Sequence, residues 1–235
     1  KIDGRCDFVK RHLIPKTGKS SELRPLGIPT IRDRAKQMLA LLVLEPEWEA
    51  KFEKNSYGFR PGRRPHDAIE AIHSSINKSP KYVLDGDILK CFDQINHDAL
   101  LAKLNTFPLM HRQVHAWLKA KIVMQNEKIF PEKGTPQGGV LSPLLSNIAL
   151  NGVEEYLSDW IAEIPHTYLP VEKEKPGFKF LGFWIRNYFV GKTKRGKRNV
   201  EYKTFIRPHS QNISDVLRKI KIILRQNRNV ATVVD

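Results

Sequence analysis

A mixed α+β fold is what the sequence predicts, on three observations. Short strand-forming runs bounded by turn residues occur at Ile14–Arg24, Tyr82–Leu84 and Phe178–Ile185. Between them lie apolar runs at helical spacing, each entered through a capping residue or a proline. The chain has 235 residues and 40% hydrophobic content, enough to bury a real core as one large domain or two small ones.

Charge narrows the partner. Forty Lys and Arg against 25 Asp and Glu give a net +15 and a pI near 9.8. Lys and Arg that neutralise phosphates supply most non-specific nucleic-acid affinity, so a polyanionic partner is expected over a merely basic soluble protein. The charge is concentrated: Arg186–Arg228 holds thirteen basic and two acidic residues, +11 of the total. Cys6 and Cys91 stand far apart without CxxC spacing, which implies neither a disulfide framework nor a zinc site and makes a reducing cytoplasm the default. There is no long apolar run and no signal-peptide pattern, so no membrane partner is expected. The first residue is Lys1 rather than Met, as in a fragment of a longer chain.

Taken in order, Ile14–Arg24 reads as a hairpin whose loop is built from Thr17, Gly18, Ser20 and Ser21. Lys16 and Arg24 flank that loop and could meet across the strands, where a point charge and a guanidinium fork suit a triphosphate; alone, they read equally as solvated surface. Asp33 is expected to cap a helix whose buried stripe is Ala35, Met38, Leu39, Leu42 and Val43. The Gly/Pro-rich loop from Ser56 to Arg64 leads to Pro65 at a first helical position, with Ile69, Ile72 and Ile76 as the buried face. Its Tyr57, Phe59, Arg60, Arg63 and Arg64 are the stacking and charged groups that single-stranded nucleic acid uses, while Tyr57 or Phe59 could equally anchor a core.

Lys81–His97 reads as a buried strand, Tyr82–Leu84, feeding a helix capped by Asn96 and carrying Ala99, Leu100 and Leu104. Asp85 and Asp87 lie two apart on that strand and share a face, with Asp93 beyond it. A carboxylate beside an apolar strand is costly to bury unless paired or bound to a metal, and Mg²⁺ takes one or two carboxylates together with substrate phosphates. A cap or turn role is the plainer alternative. His97 is read as a helix N-terminal residue rather than a base.

A second helix is expected around His111–Ala120. In Glu132–Leu150, Gly138 and Gly139 allow close backbone approach, Ser142 caps, and Pro143 starts a helix running to about Ile164 with Leu144, Leu145, Ile148 and Ala149 on one face. Phe178–Ile185 reads as a strand, Gly191–Arg198 as a basic turn, and a further strand passes through Tyr202 and Phe205. Ser210 or Ser214 then caps a helix with Ile213, Val216, Leu217, Ile220, Ile223 and Leu224 on its apolar face. Lys192, Lys194, Arg195, Lys197 and Arg198, with Arg218, Lys219, Lys221 and Arg225 on that helix, are the candidate phosphate contacts.

Four ordered stretches carry a resemblance: Arg24-Pro-Leu-Gly-Ile-Pro29, Tyr57-Gly-Phe-Arg-Pro-Gly62, Asp87 followed five residues later by Phe92, and Pro136-Gln-Gly-Gly139. Together with Phe180-Leu-Gly182 they resemble the bacterial group II intron-encoded reverse transcriptase/maturase family, over most of 14–150 and again at 176–186. The resemblance implies a right-hand polymerase: fingers over 1–80, palm over 81–190, and over 191–235 the palm–thumb junction with the start of a helical thumb. It implies RNA-directed DNA polymerase activity with two Mg²⁺ ions, and maturase activity that assists splicing and retrohoming. Asp87 maps onto the metal-binding aspartate with Ile88 beside it in the metal site, and Phe92 onto the aromatic gate against a ribose 2′-hydroxyl. Lys16 and Arg24 would contact the triphosphate, Gln137 the nucleotide sugar and templating base pair, and Phe180–Gly182 the primer end.

Implied partners are group II intron RNA, an RNA template with a DNA primer, target DNA and dNTPs, in a bacterial cytoplasm or an organelle; oligomeric state is left open. The sequence departs from the pattern in two places. Cys91 stands where two aromatics in a row are usual, and no Asp-Asp pair occurs anywhere. The span between Gln137 and Phe180 is too short to hold the Tyr/Phe-x-Asp-Asp hairpin, so an intervening block is expected to be missing near His166–Thr167. A non-enzymatic RNA-binding maturase and a CRISPR-associated or defence reverse transcriptase are the alternatives.

Overall fold

Two compact units divide the chain in the computed structural model: Lys1–Arg63 with Asp85–Pro165, and Arg64–Leu84 with His166–Asp235. Residues 2–16, 19–77, 83–84, 86–124, 127–163, 177–181, 183–195, 198–209 and 214–219 are described, and the side chains of 16, 19–22, 187–195 and 198–203 are not.

The first unit opens with a hairpin, β1 (Val9–Lys16) and β2 (Lys19–Ile28), longer than the sequence suggests, with Ser20 and Ser21 inside β2. Parallel to β1 runs β3 (Ile122–Met124), which pairs with β4 (Glu127–Ile129) to complete a sheet of order β2-β1-β3-β4. Four helices build the core: α1 (Ile31–Glu49), α4 (His97–Leu104), α5 (Pro108–Leu118) and α6 (Ser142–Leu150), between which Leu44, Leu100, Leu104, Met110, Val114, Leu141 and Ile148 are buried. The short α3 (Cys91–Gln94) precedes α4, and α7 (Val153–Glu163) follows α6. The second unit packs α2 (Pro65–Ile76) on an antiparallel sheet of β5 (Phe178–Phe180), β6 (Phe183–Arg195) and β7 (Arg198–Pro208), around Ile69, Ile76 and Ile185.

Several expectations hold. Pro65 starts α2, Ile69 and Ile76 are buried with Ile72 packed beside them, and the Asn96 side chain accepts the Ala99 amide at 2.9 Å as the α4 cap.

The expected stripe of α1 is a correction. Ala35, Met38, Leu39, Leu42 and Val43 are all exposed, and the inward face carries Asp33, Lys36, Gln37, Ala40, Leu44 and Trp48. Burial of the three polar residues is made possible by specific partners. Asp33 accepts from Trp117 Nε1 at 3.1 Å and from the Asp7 amide at 2.8 Å. Lys36 donates to Asp3 at 2.7 Å, and Gln37 accepts the Val140 amide at 2.9 Å. Thr30, not Asp33, is the cap of α1; its hydroxyl accepts the Asp33 amide.

Other corrections follow from local chemistry. The helix from Ser142 breaks at Asn151–Gly152, where Glu53 Oε1 accepts the Gly152 and Glu154 amides and so caps α7. Ser142 is the first residue of α6 rather than its cap, and its hydroxyl donates to the Pro136 carbonyl at 2.7 Å. Phe178–Ile185 is not one strand but β5 and the start of β6, folded at Leu181 with Phe180 opposite Phe183. The basic turn is largely strand: β6 continues to Arg195, opposite Arg198. Val83 and Leu84 lie in no strand and are exposed, and Asp87 sits on irregular backbone. A strand needs a hydrogen-bonding neighbour, and neither described sheet includes this segment. Val216 and Leu217 are exposed on a helical stretch at 214–219; Tyr82, Asp85, Ser210, Ile213, Ile220, Ile223 and Leu224 lie outside the described residues.

The two faces of α1 give a direct test. Leu44 is 1% exposed and Leu42 63%. Leu44→Ala should cost about 2–5 kcal/mol and Leu42→Ala less than about 0.5 kcal/mol. Urea unfolding midpoints measure both, and a larger loss from Leu42→Ala than from Leu44→Ala would put α1 the other way round.

Candidate active site

The site is assembled by a close approach of backbones. The Gly27 amide of β2 donates to the Gln137 carbonyl at 2.6 Å, laying the Pro136–Gly139 loop along the strand. A Cβ on Gly138 would stand 2.6 Å from the Gly27 carbonyl oxygen, so no side chain fits there. This approach brings Arg24 and Gln137 together, 113 residues apart, with Arg24 Nε donating to Gln137 Oε1 at 3.3 Å.

Lys16 does not stand opposite Arg24. The register pairs Arg24 with Ile14 and Lys16 with Lys19, with an irregularity between Pro15 and Lys16; the Lys16 side chain lies outside the described residues.

A second lacing joins this loop to the segment after Asp87. The Thr135 amide donates to the Phe92 carbonyl at 2.8 Å and the Gly134 amide to the Ile95 carbonyl at 2.7 Å. Asn96 and Lys133 form an isolated antiparallel bridge. His97 Nε2 lies 2.7 Å from the Gly134 carbonyl, which makes the imidazole the donor there and leaves the buried Nδ1 without a partner among the described residues. Gly134 adopts φ 88, and a Cβ on it would meet Asp93 and Phe92 backbone at 2.9 Å. His97 is thus a helix N-terminal residue that holds a backbone, as the sequence suggests.

Asp87 and Ile88 are exposed, ahead of a left-handed turn at Lys90, φ 50, that leads into α3. The Asp87 carboxylate has no hydrogen-bond or ion-pair partner among the described residues, which leaves its oxygens open to a hard cation. No cluster of three His, Cys, Asp or Glu side chains occurs among those residues. Phe92 is half-buried on α3, and the exposed Phe59 ring stands edge-on to it, centroids 6.2 Å apart.

Beneath the loop lies a cavity of about 320 Å³ lined by Arg11, Gly27, Asp93, Trp117, Lys133 and Gln137, among others. The sequence gives no site role to Arg11, Asp93 or Lys133. Arg11 stands opposite Gly27 in the β1–β2 register, the one signal that would have found it once the hairpin was aligned.

The loop of candidate nucleic-acid contacts divides. Arg60 is a correction: its guanidinium is buried, bridging Glu49 at 2.7 Å and donating to the Glu53 and Ser56 carbonyls, so it holds the loop and cannot reach a phosphate. Arg63 lies over the Tyr57 ring and donates to the Lys54 carbonyl, and Arg64 is exposed at the start of α2. Lys192, Lys194, Arg195 and Arg198 lie on the β6–β7 arms, with side chains outside the described residues. Arg218 and Lys219 are exposed on the 214–219 stretch, Arg218 paired with Asp215. Lys197, Lys221 and Arg225 are outside the described residues.

The lacing is testable through His97. Burial pushes its imidazole below the ordinary 6.5. The unfolded chain therefore takes up a proton that the fold resists, so this stabilisation is complete above the ordinary value and falls as pH drops below it. His97→Gln can still donate to Gly134 but does not titrate. Between about pH 7.5 and about pH 5.5, wild type should lose more stability to urea than the variant; equal losses would show that His97 titrates as if exposed.

Known proteins place this geometry. The family model for reverse transcriptase (RNA-dependent DNA polymerase) matches residues 14–169. The group II intron-encoded protein LtrA of Lactococcus lactis subsp. cremoris is 37% identical over 152 residues, 63% of this chain and 25% of that protein. Protein YkfC of Escherichia coli is 38% identical over 158 residues, 64% of this chain and 41% of that protein. An uncharacterized 91 kDa protein in the cob intron of Schizosaccharomyces pombe is 33% identical over 94% of this chain and 25% of its own length. The chain thus spans well under half the length of these relatives. A partial Cas6-RT-Cas1–Cas2 complex, with TM-score 0.42 and 22% identity over 95% of this chain and 34% of that chain, is too distant to carry an argument. Among the described residues no helix is long and apolar enough to cross a membrane. On the match over residues 14–169, this chain belongs to the reverse transcriptase (RNA-dependent DNA polymerase) family.

Proposed function

We propose that the chain carries the fingers (1–80), palm (81–190) and start of the thumb (191–235) of a group II intron RNA-directed DNA polymerase, one that also binds its intron RNA as a maturase for splicing and retrohoming. The observation that carries this reading is the meeting of Arg24 with Gln137 on a loop laced to the Phe92 segment, which gathers three separate motifs at one place. RNA template with DNA primer, target DNA and dNTPs are the substrates this reading requires.

Asp87, through its carboxylate, and Ile88, through its backbone carbonyl, would hold Mg²⁺, with two ions expected. When bound, the ions polarise the phosphoryl group and neutralise developing charge. Arg24, with Lys16, grips the triphosphate; Gln137 is held by the Arg24 hydrogen bond beside the sugar and templating base pair; Phe92 excludes a 2′-hydroxyl. The second carboxylate pair belongs to a block missing near His166–Thr167, a region outside the described residues. The absence of an Asp-Asp pair from this sequence also favours one other reading, a maturase without polymerase activity. The full reading frame decides: a Tyr/Phe-x-Asp-Asp run between Gln137 and Phe180 supports the enzyme.

In a chain that carries that run, Asp87→Asn should abolish primer extension and largely spare RNA affinity, because one metal-ligating charge goes while the basic surface stays. Appreciable extension by the variant would remove Asp87 from the metal site.

Sequence-independent RNA affinity is assigned to the C-terminal basic segment. Neutralising Lys192, Lys194, Arg195, Lys197 and Arg198 should flatten the slope of log K against log salt by roughly 0.7–0.9 for each phosphate that is no longer neutralised. Parallel salt lines for wild type and variant would mean that these charges face only solvent.

A further inference from the structure

The loop that carries Phe59 is held on both sides of that residue. The Gly58 carbonyl accepts from Asn147 Nδ2 of α6 at 2.8 Å. Arg60 is buried and bound to Glu49, Glu53 and Ser56. Between these anchors Phe59 takes φ 57, a left-handed conformation that is an outlier for a bulky side chain and persists only where the surroundings impose it. The strain does not serve burial, for Phe59 remains 70% exposed. What it achieves is one packing interaction: the Phe59 ring meets Phe92 edge-on, at 6.2 Å and an interplanar angle of 84°, the geometry that aromatic quadrupoles favour.

We infer that Phe59 is a positioning residue for the sugar-discriminating ring of Phe92, setting the side-chain position from which Phe92 rejects a ribonucleotide. This rests on the reading of Phe92 as the gate. The Phe92 carbonyl accepts the Thr135 amide, a backbone bond that does not restrain the ring. Phe59 does, from a loop tied to α6, the helix that follows the Gln137 loop. Sugar choice is therefore coupled to the seating of that loop.

The test is the ratio of ATP to dATP dissociation constants for the full-length protein on a template–primer duplex, measured by competition without turnover. Phe59→Leu, which keeps apolar bulk but has no ring edge, should reduce the ratio by roughly 3- to 10-fold, the worth of one aromatic pair. Phe59→Tyr should restore it. Phe59→Gly relieves the left-handed backbone, so its unfolding midpoint should hold or rise while the ratio still falls; that combination separates positioning from a role in folding. In a Phe92→Ala background, Phe59→Leu should change nothing further. The inference is overturned if Phe59→Leu leaves the ratio intact while Phe92→Ala lowers it, or if the two substitutions act additively. A ratio that Phe92→Ala does not move would instead sink the gate reading beneath it.

Discussion

Gly134 is the residue on which the site depends, because it joins two segments with both of its backbone groups. Its amide bonds to Ile95 and its carbonyl to His97, and there is no room for a Cβ between it and the Phe92–Asp93 backbone. The loop that continues from it is then constrained in direction. It passes over Gly27, where the absence of a side chain on Gly138 lets the two backbones touch, and delivers Gln137 to Arg24. A polymerase-type site needs groups from distant motifs held to within fractions of an ångström, and backbone hydrogen bonds achieve that with less rotamer freedom than side-chain pairs.

The same economy appears in the core behind it. The N-terminal segment is held by polar groups: Gln113 accepts the Asp3 and Gly4 amides and donates to the Arg5 carbonyl, while Lys36 joins Asp3 and Arg5. The hydrogen bond from Lys36 holds the Asp3 carboxyl at about 2, well below its ordinary 3.8. Lys36 and Gln113 are the buried members, and leaving either without its partners would cost more than the bonds themselves contribute. This network turns α1 so that its apolar stripe faces outward. Nothing among the described residues covers that stripe.

The arginine-rich loop before α2 illustrates how one motif divides its labour. Arg60 has the charge of a phosphate ligand and is the internal brace; Arg63 lies over Tyr57; Phe59, the most exposed aromatic of the loop, is the residue held in strain. Charge and aromaticity in the sequence make the loop a candidate for nucleic-acid contact but cannot assign its members, because a guanidinium serves equally well against a carboxylate, a carbonyl or a phosphate.

The sequence by itself determined the mixed α+β class, the family, and those elements whose signals are local. Asn96 at the α4 cap, Pro65 at the start of α2 and the glycines of the Gln137 loop are legible because capping and steric permission act within a few residues. Tertiary structure alone decided which face of α1 is inside, since Asp33, Lys36 and Gln37 become buriable only through partners on other elements, from Asp3 to Val140. It alone decided that Val83 and Leu84 form no strand, because a strand exists only beside a neighbour. And it alone set Arg24 against Gln137 and Phe59 against Phe92, pairings that depend on the register of a hairpin and on the anchoring of two loops rather than on any pattern along the chain.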